Sequence, residues 1–196
     1  MSMEKKELRR FIRQKLAEHC PQERAAKGMQ ICQYVQNSEL FQNASVVMAF
    51  LPMVEEVDTV PIILHAWQQG KTIVVPKILD QRHIIPIEIQ SLDTGVEIDR
   101  YGLRNPISEI PFAFEEIDLV LTPGLGFDRR GNRLGRGRAY YDRFFSNPKL
   151  RAIRWALTFS FQVLDRIPVD ERDMPVDAIV TETGIYPCIN EVSRGG

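Results

Sequence analysis

Cysteine and histidine are scarce in this chain, three of each among 196 residues, and their placement excludes more than their number does. Cys20, Cys32 and Cys188 are odd in count, far apart and without a CxxC pair. A disulfide framework or a thiolate zinc site is therefore hard to assemble, and the three are expected to be small apolar fillers. His19, His65 and His83 lack metal-ligand spacing. No apolar run reaches membrane-spanning length, and the opening MSMEKKELRRFIRQKL is charged throughout, so a cytoplasmic protein with no membrane partner is expected. The net charge of −1 argues against a general polyanion binder and against nucleic acid as a partner. Internal repeats, low-complexity tracts and long linkers are missing as well. With 44% hydrophobic and 26% charged residues, one globular domain over residues 1–196 is expected, and a monomer.

The first 40 residues read as helical. Leu8, Phe11, Ile12 and Leu16 fall on one face, and Pro21 opens a second helix with Ala25, Met29, Cys32 and Gln36 on a less clean stripe. The pattern then changes to SVVMAF (45–50) as a buried strand, DTVPIILHAWQQG (58–70) as a helix with a cap, an early proline and a glycine stop, and KTIVVP (71–76) as another strand. HIIPIEIQ (83–90) alternates and contains Pro86, which suits an edge strand. DLVLTP (118–123), AIRWALTF (152–159) and DAIVT (177–181) supply three more strands, and AYYDRFF begins a helix. The alternation implies an α/β protein with a mainly parallel sheet covered by helices on both faces. Ligands of such sheets sit beyond the carboxyl ends of the strands, where the loops after Phe50, Leu121 and Phe159 would converge.

The segment GNRLGRGRAYYDRFF (131–145) carries a combination that no hydrophobic core requires. Its glycines let backbone N–H groups approach an anion, its arginines match phosphate oxygens, and a helix starting nearby aims its positive end at the same place. No Walker A segment occurs, and Gly124-Leu-Gly126 has Arg129 where a dinucleotide fingerprint needs its third glycine. The arginines carry the signal instead: Arg129, Arg130, Arg133, Arg136, Arg138 and Arg143 lie within one short stretch, offset only by Asp128 and Asp142. Asp142 beside a phosphate would repel it unless a divalent cation lies between, and Asp173 in IPVDERDMPVD is a second candidate for that shell. Glu55, Glu56 and Asp58 follow the first strand directly, so a carboxylate there can meet the amino groups of a heterocycle. Leu51 and Met53 would offer the ring apolar surface. Asp58 is better explained as a helix cap.

Together these pieces resemble the 5-formyltetrahydrofolate cyclo-ligase family, also called 5,10-methenyltetrahydrofolate synthetases. The resemblance runs from KKELR through FLPMVEEVDT to DLVLTPGLGFDRRGNRLGRGRAYYDRFF, then ALTFSFQ and IPVDERDMPVDAIVTE, and so covers nearly the whole chain. It implies a three-layer α/β sandwich similar to the sugar-phosphate isomerase and CoA-transferase group. ATP as co-substrate would be bound by Lys5, Lys6, Glu7, Leu8 and Arg9 and by the loop Arg133, Leu134, Gly135, Arg136, Gly137, Arg138, Ala139, Tyr140 and Tyr141. A reduced folate would meet Leu51, Glu56 and the segment Arg136, Gly137, Arg138, Ala139 and Tyr140. Asp142 and Asp173 would hold Mg2+. Arg133, Arg136 and Arg138 would stabilise charge during phosphoryl transfer, which needs positioning and neutralisation more than a protein nucleophile.

Three positions depart from the family pattern. Ala139 replaces a usual third glycine before YYD, Asn105 stands in YGLRNP where a glutamate is common, and Arg172 stands where histidine is common before Asp173. Ala139 and Asn105 motivate a rival reading as a catalytically weakened folate- or nucleotide-binding paralogue. A second rival, RNA binding through the arginines and tyrosines of the loop, is disfavoured by the balanced net charge.

Overall fold

The computed structural model describes residues 4–189. Residues 1–3 and 190–196 of the expected single domain lie outside the described residues. Helices α1 (Lys5–Glu18), α2 (Pro21–Asn37) and α3 (Glu39–Asn43) lead into strand β1 (Val46–Met48), helix α4 (Val60–Gln68) and strands β2 (Thr72–Ile78) and β3 (Ile84–Ile89). Strands β4 (Val96–Ile98) and β5 (Arg104–Pro106) form a separate hairpin. There follow β6 (Leu119–Thr122), β7 (Gly126–Asp128), β8 (Arg133–Leu134), α5 (Tyr140–Phe145), β9 (Ile153–Leu157), β10 (Val163–Leu164), β11 (Ala178–Thr181) and β12 (Gly184–Pro187).

Seven strands form the central sheet in the order β12-β11-β9-β6-β1-β2-β3. Pairing is parallel from β11 through β2, and antiparallel only for β12 and β3 at the two edges. From β1 the chain moves outward to β2 on one side and later to β6, β9 and β11 on the other. The order therefore reverses between β1 and β6, and the loops leaving their carboxyl ends part there to open a crevice. The expectation of a mainly parallel sheet with β3 on an edge agrees with this arrangement. Pro86 of β3 faces Pro76 of β2. Its carbonyl turns outward and accepts the N–H of Phe112 at 2.8 Å, so neither proline interrupts a ladder bond.

Successive strand residues feed opposite cores. Val47, Leu119 and Leu121 face a layer built by α1 to α4, whereas Met48, Val120 and Ile179 face Tyr141, Phe144 and Phe145 of α5. The two layers are unequal: four helices cover one face, and the other has one short helix plus irregular chain. On α1 the buried stripe is Leu8, Ile12 and Leu16, while Phe11 is exposed. On α2 the expected stripe is rotated. Gly28, Ile31, Cys32 and Val35 are buried, whereas Ala25 and Met29 are exposed. The i, i+3, i+4, i+7 spacing of Gly28 to Val35 is the better helical period, and the two faces share Cys32.

Cys32 and Cys188 behave as fillers, each thiol pushed up to about 12 by burial first and then by neighbouring aspartate charge. Cys20 does not: it is exposed and its sulfur accepts the Glu23 N–H at the start of α2. Helix α3, the β4–β5 hairpin, the small sheet β10-β7-β8 and the last edge strand were not expected from the sequence. They are short elements in which two to five residues of pattern are too few to read.

Arg154 of β9 fixes the thin layer. Its guanidinium donates to Phe145 O at 3.1 Å and Pro175 O at 3.3 Å and lies over the Phe145 ring at 4.5 Å. It thereby ties the end of α5 and the segment before β11 to the same strand. Arg154→Ala removes charge-assisted bonds from a buried position and is expected to lower unfolding free energy by about 3 kcal/mol. A urea titration with a shift below about 0.5 kcal/mol would refute this anchoring.

Candidate functional site

Lys5 and Arg9 lie one helical turn apart on α1, so both project from the same face of the helix. Lys5 Nζ donates to Asp173 Oδ2 at 2.5 Å and lies 3.8 Å from Asp170, while Arg9 Nε donates to the Gly135 carbonyl at 2.8 Å. The first helix is thus joined to the arginine loop and to the turn before β11. Glu7 serves the α1 capping box, its carboxylate accepting the Glu4 N–H at 3.2 Å. Leu8 lies in the core and Lys6 is exposed. Of the KKELR segment, Arg9 meets the arginine loop and Lys5 meets the turn before β11.

Arg133 is the centre of the arrangement. Its side chain is only 7% exposed, lies 3.8 Å from Asp142 Oδ2, donates to Pro123 O at 3.3 Å and sits 5.2 Å from the centre of the Tyr141 ring. Burial lowers the guanidinium pKa, and the charges of Asp142, Tyr141 and Asp173 oppose that shift. Asp142 in turn accepts the Met174 N–H at 3.0 Å, and Asp173 accepts the Asp170 N–H at 2.9 Å. The two aspartates are therefore brought to one place, next to Arg133 and Lys5. Their hard oxygen donors suit a small divalent cation that shares its shell with phosphate and water. Among the described residues no group of three or more His, Cys, Asp and Glu could hold a metal from protein alone.

Glu56 closes the other side of the crevice. One carboxylate oxygen accepts the Met53 N–H at 3.0 Å, and the other lies 3.5 Å from Arg136 Nη2, which is also 3.7 Å from Glu55. Burial pushes the Glu56 carboxyl above its ordinary 4.5, and the Met53 N–H and Arg136 only partly offset this. The Tyr141 hydroxyl is buried with no hydrogen-bond partner among the described residues. Burial, and after it the Glu56 charge, raises its pKa and keeps it a proton donor. Leu51 is half-buried and packs on the core beneath this loop. Asp58 is not the cap expected of it: the N-cap of α4 is Thr59, and Asp58, one residue earlier, accepts the Val60 N–H at 3.0 Å.

The arginine segment is less of a loop than its glycines suggest. Arg133 and Leu134 form β8, and Leu134 is fully buried, so the flexible part is Gly135 to Ala139. Gly131 serves the fold rather than an anion: at φ 86° an added Cβ would lie 2.3 Å from Val176 O. Gly137 has φ 111° with only Arg9 near its open side, as an exposed cradle requires. Ala139 adopts φ 54°, ψ 29°, the left-handed conformation that glycine would favour. The missing glycine therefore strains the backbone without changing its course. Helix α5 has six residues, too few for the end charge expected of a longer helix, so side chains supply the positive charge.

Of the other arginines, Arg129 and Arg130 lie exposed in the β7–β8 turn. Arg143 bonds to the carbonyls of Arg82 and Arg138, while Tyr140 Oη donates to Asp80 O at 3.4 Å. The β2–β3 turn is thus a third wall, which the sequence reading did not find. Asp170, Glu55 and the carbonyl of Pro123 are further participants; the backbone groups leave no sequence signal. Asn105 bonds to Asp99 in the β4–β5 hairpin, outside this constellation. A separate cavity of about 460 Å³ is lined by residues including Ser160, Thr181, Thr183 and Tyr186 and by none of the constellation. The convergence of charge, and not cavity size, marks the site.

Two consequences follow from local strain and burial. Ala139→Gly is expected to raise unfolding free energy by about 0.5–1 kcal/mol, since relief of the left-handed penalty exceeds the added chain entropy; chemical denaturation reads it directly. A carboxyl whose folded pKa is raised binds more protons in the native state, so stability falls as pH rises from its ordinary value through the raised one. Glu56→Gln is expected to flatten that decline and to be at least as stable as the parent at pH 7.5, measured by urea midpoints at pH 5 and 7.5.

Residues 1–182 match the 5-formyltetrahydrofolate cyclo-ligase family. A 5-formyltetrahydrofolate cyclo-ligase of Mus musculus is 32% identical over 189 residues, covering 91% of this chain and 93% of that protein. The enzyme of that name from Escherichia coli K12 is 25% identical over 90% of this chain and 99% of its own. The NMR structure of Aquifex aeolicus 5,10-methenyltetrahydrofolate synthetase aligns with a TM-score of 0.83 at 27% identity, over 99% of this chain and 97% of that one. The synthetase of Mycoplasma pneumoniae, 22% identical over 92% of this chain and 99% of its own, has the same fold with a TM-score of 0.76. On the extent of these matches, the chain belongs to the 5-formyltetrahydrofolate cyclo-ligase family.

Proposed function

We propose that the enzyme converts 5-formyltetrahydrofolate to 5,10-methenyltetrahydrofolate at the expense of ATP, with ADP and phosphate released. The observation that best supports this reading is that one loop, Arg133 to Tyr141, carries the phosphate-directed arginines and also contacts Glu56, the half-buried carboxylate on the opposite wall. A reaction that joins a phosphate donor to a heterocycle needs such a meeting point.

The formyl oxygen on nitrogen five is a poor leaving group and must be activated. In this mechanism it attacks the γ-phosphorus of ATP as the bond to ADP breaks. Nitrogen ten then attacks the activated carbon and loses its proton, and the carbon–oxygen bond breaks to release phosphate. Glu56 accepts hydrogen bonds from the pterin amino groups and sets the ring, with Leu51 and Met53 beneath it. Lys5, Arg9 and the N–H groups of Gly135 to Ala139 take the phosphate chain. Arg136 and Arg138 neutralise charge on the transferring group, and Arg133 holds Asp142 and the loop from behind. Asp142 and Asp173 would hold magnesium, which when bound neutralises and orients phosphate oxygens. The folded position of Ala139 supports the active-enzyme reading over the weakened paralogue, because the loop keeps the course a glycine would give it.

Mixing the protein with 5-formyltetrahydrofolate and Mg-ATP is expected to produce the near-ultraviolet absorbance of the methenyl product, and omitting ATP to abolish it; confirmed folate binding with no ATP-dependent chromophore would overturn the assignment. Arg138 has an exposed position, so Arg138→Gln separates chemistry from folding better than a change at buried Arg133. It is expected to lower kcat by about 30- to 1,000-fold, the loss of 2–4 kcal/mol of charge stabilisation, with an unchanged urea midpoint.

A further inference from the structure

Arg136 is assigned above to nucleotide phosphate, yet it lies on the carboxylates of the opposite wall, 3.5 Å from Glu56 and 3.7 Å from Glu55. Its side chain is one-third exposed and Glu56 is 13% exposed, so the arginine covers a carboxylate that lies largely out of water. It is also able to leave. Arg136 stands between two glycines, Gly135 is fixed through its carbonyl by Arg9, and Gly137 is open to solvent at φ 111°. Glu56 is less able to do without a partner: burial already disfavours its charge, and the Met53 N–H serves only one oxygen. The nearby Tyr141 hydroxyl is likewise buried and without a hydrogen-bond partner among the described residues, so this wall holds a donor that a heterocycle can meet.

We propose that Arg136 couples the two substrate sites: it neutralises Glu56 in the empty enzyme and is exchanged for the heterocycle's amino groups as nucleotide phosphate takes it up. A nucleotide that binds alone must draw Arg136 off and leave Glu56 with one partner. A reduced folate that binds alone must displace Arg136 into solvent. When both bind, the ion pair is broken once and each half is re-paired, so each ligand strengthens the other by the same factor. The inference rests on the cyclo-ligase reading of the two sites.

The test is a binding cycle without turnover. Calorimetric titration of the enzyme with 5-formyltetrahydrofolate is done with and without a saturating non-hydrolysable ATP analogue and Mg2+. The wild type is expected to bind folate about tenfold more tightly with the analogue, and the analogue about tenfold more tightly with folate. Arg136→Gln is expected to bind folate alone more tightly than wild type, to bind the analogue less tightly, and to show no coupling; Arg136→Lys is expected to restore part of it. Binding of both ligands to the wild type without coupling overturns the proposal and leaves the cyclo-ligase reading intact. Equal weakening of folate binding by Arg136→Gln with and without nucleotide overturns it too, since Arg136 would then be a simple folate contact. Failure of the wild type to bind either ligand overturns both readings.

Discussion

A guanidinium buried to the extent of Arg133 cannot shed its proton to escape the cost of burial, so its surroundings must answer the charge. Asp142 and the face of Tyr141, both on α5, and the Pro123 carbonyl of the loop after β6 do this from two parts of the chain. Asp142 also holds the Met174 N–H, and that bond places Asp173 where Lys5 meets it. The chain of contacts thus runs from the loop after β6, through β8 and α5, to the turn before β11 and back to the first helix. Each polar group is held by the next, and Arg133 is the member whose charge none of the others can do without. The Nε of Arg133 has no partner among the described residues, so one buried N–H of this guanidinium stays available to an acceptor.

Topology decides where this network can stand. Between β1 and β6 the sheet order reverses, and the loops at their carboxyl ends turn in opposite directions. One carries Glu55 and Glu56, and the other leads into the arginine segment. The thin second layer matters here. Four helices bury one face of the sheet, whereas α5 and irregular chain cover the other, so the loop and the β2–β3 turn meet through backbone carbonyls and single side chains. A site assembled this way is joined by few contacts between its walls, while the sheet below is packed on both faces.

Much of the frame was legible because it rests on long patterns. Apolar runs marked β1, β2, β6, β9 and β11 as buried strands, and Pro86 marked β3 as an edge. The rotation of α2 was misread because Cys32 belongs to two candidate stripes, and only packing decides between them. The candidate site was legible as chemistry in Arg133, Arg136, Glu56 and Asp142, whose types have no simple structural use at those positions. Its wiring was not. The carbonyl of Pro123, the N–H of Met174 and the turn at Asp80 act through backbone groups that any residue would supply. Glycine content misled at Gly131, which is required by a close approach to Val176, and the alanine at position 139 concealed a left-handed turn that its residue type argues against.

The facing prolines of β2 and β3 reach beyond the sheet itself. Pro86 turns its backbone away from β2, and on that side it has no N–H to offer and its carbonyl is already taken by Phe112. A stray strand from another molecule, seeking an open row of donors and acceptors along this border, finds the row interrupted in the middle. A parallel sheet of hydrophobic strands is the kind of surface that templates fibrils in a crowded solution. Here a ring that costs the native ladder nothing acts as a guard against self-association.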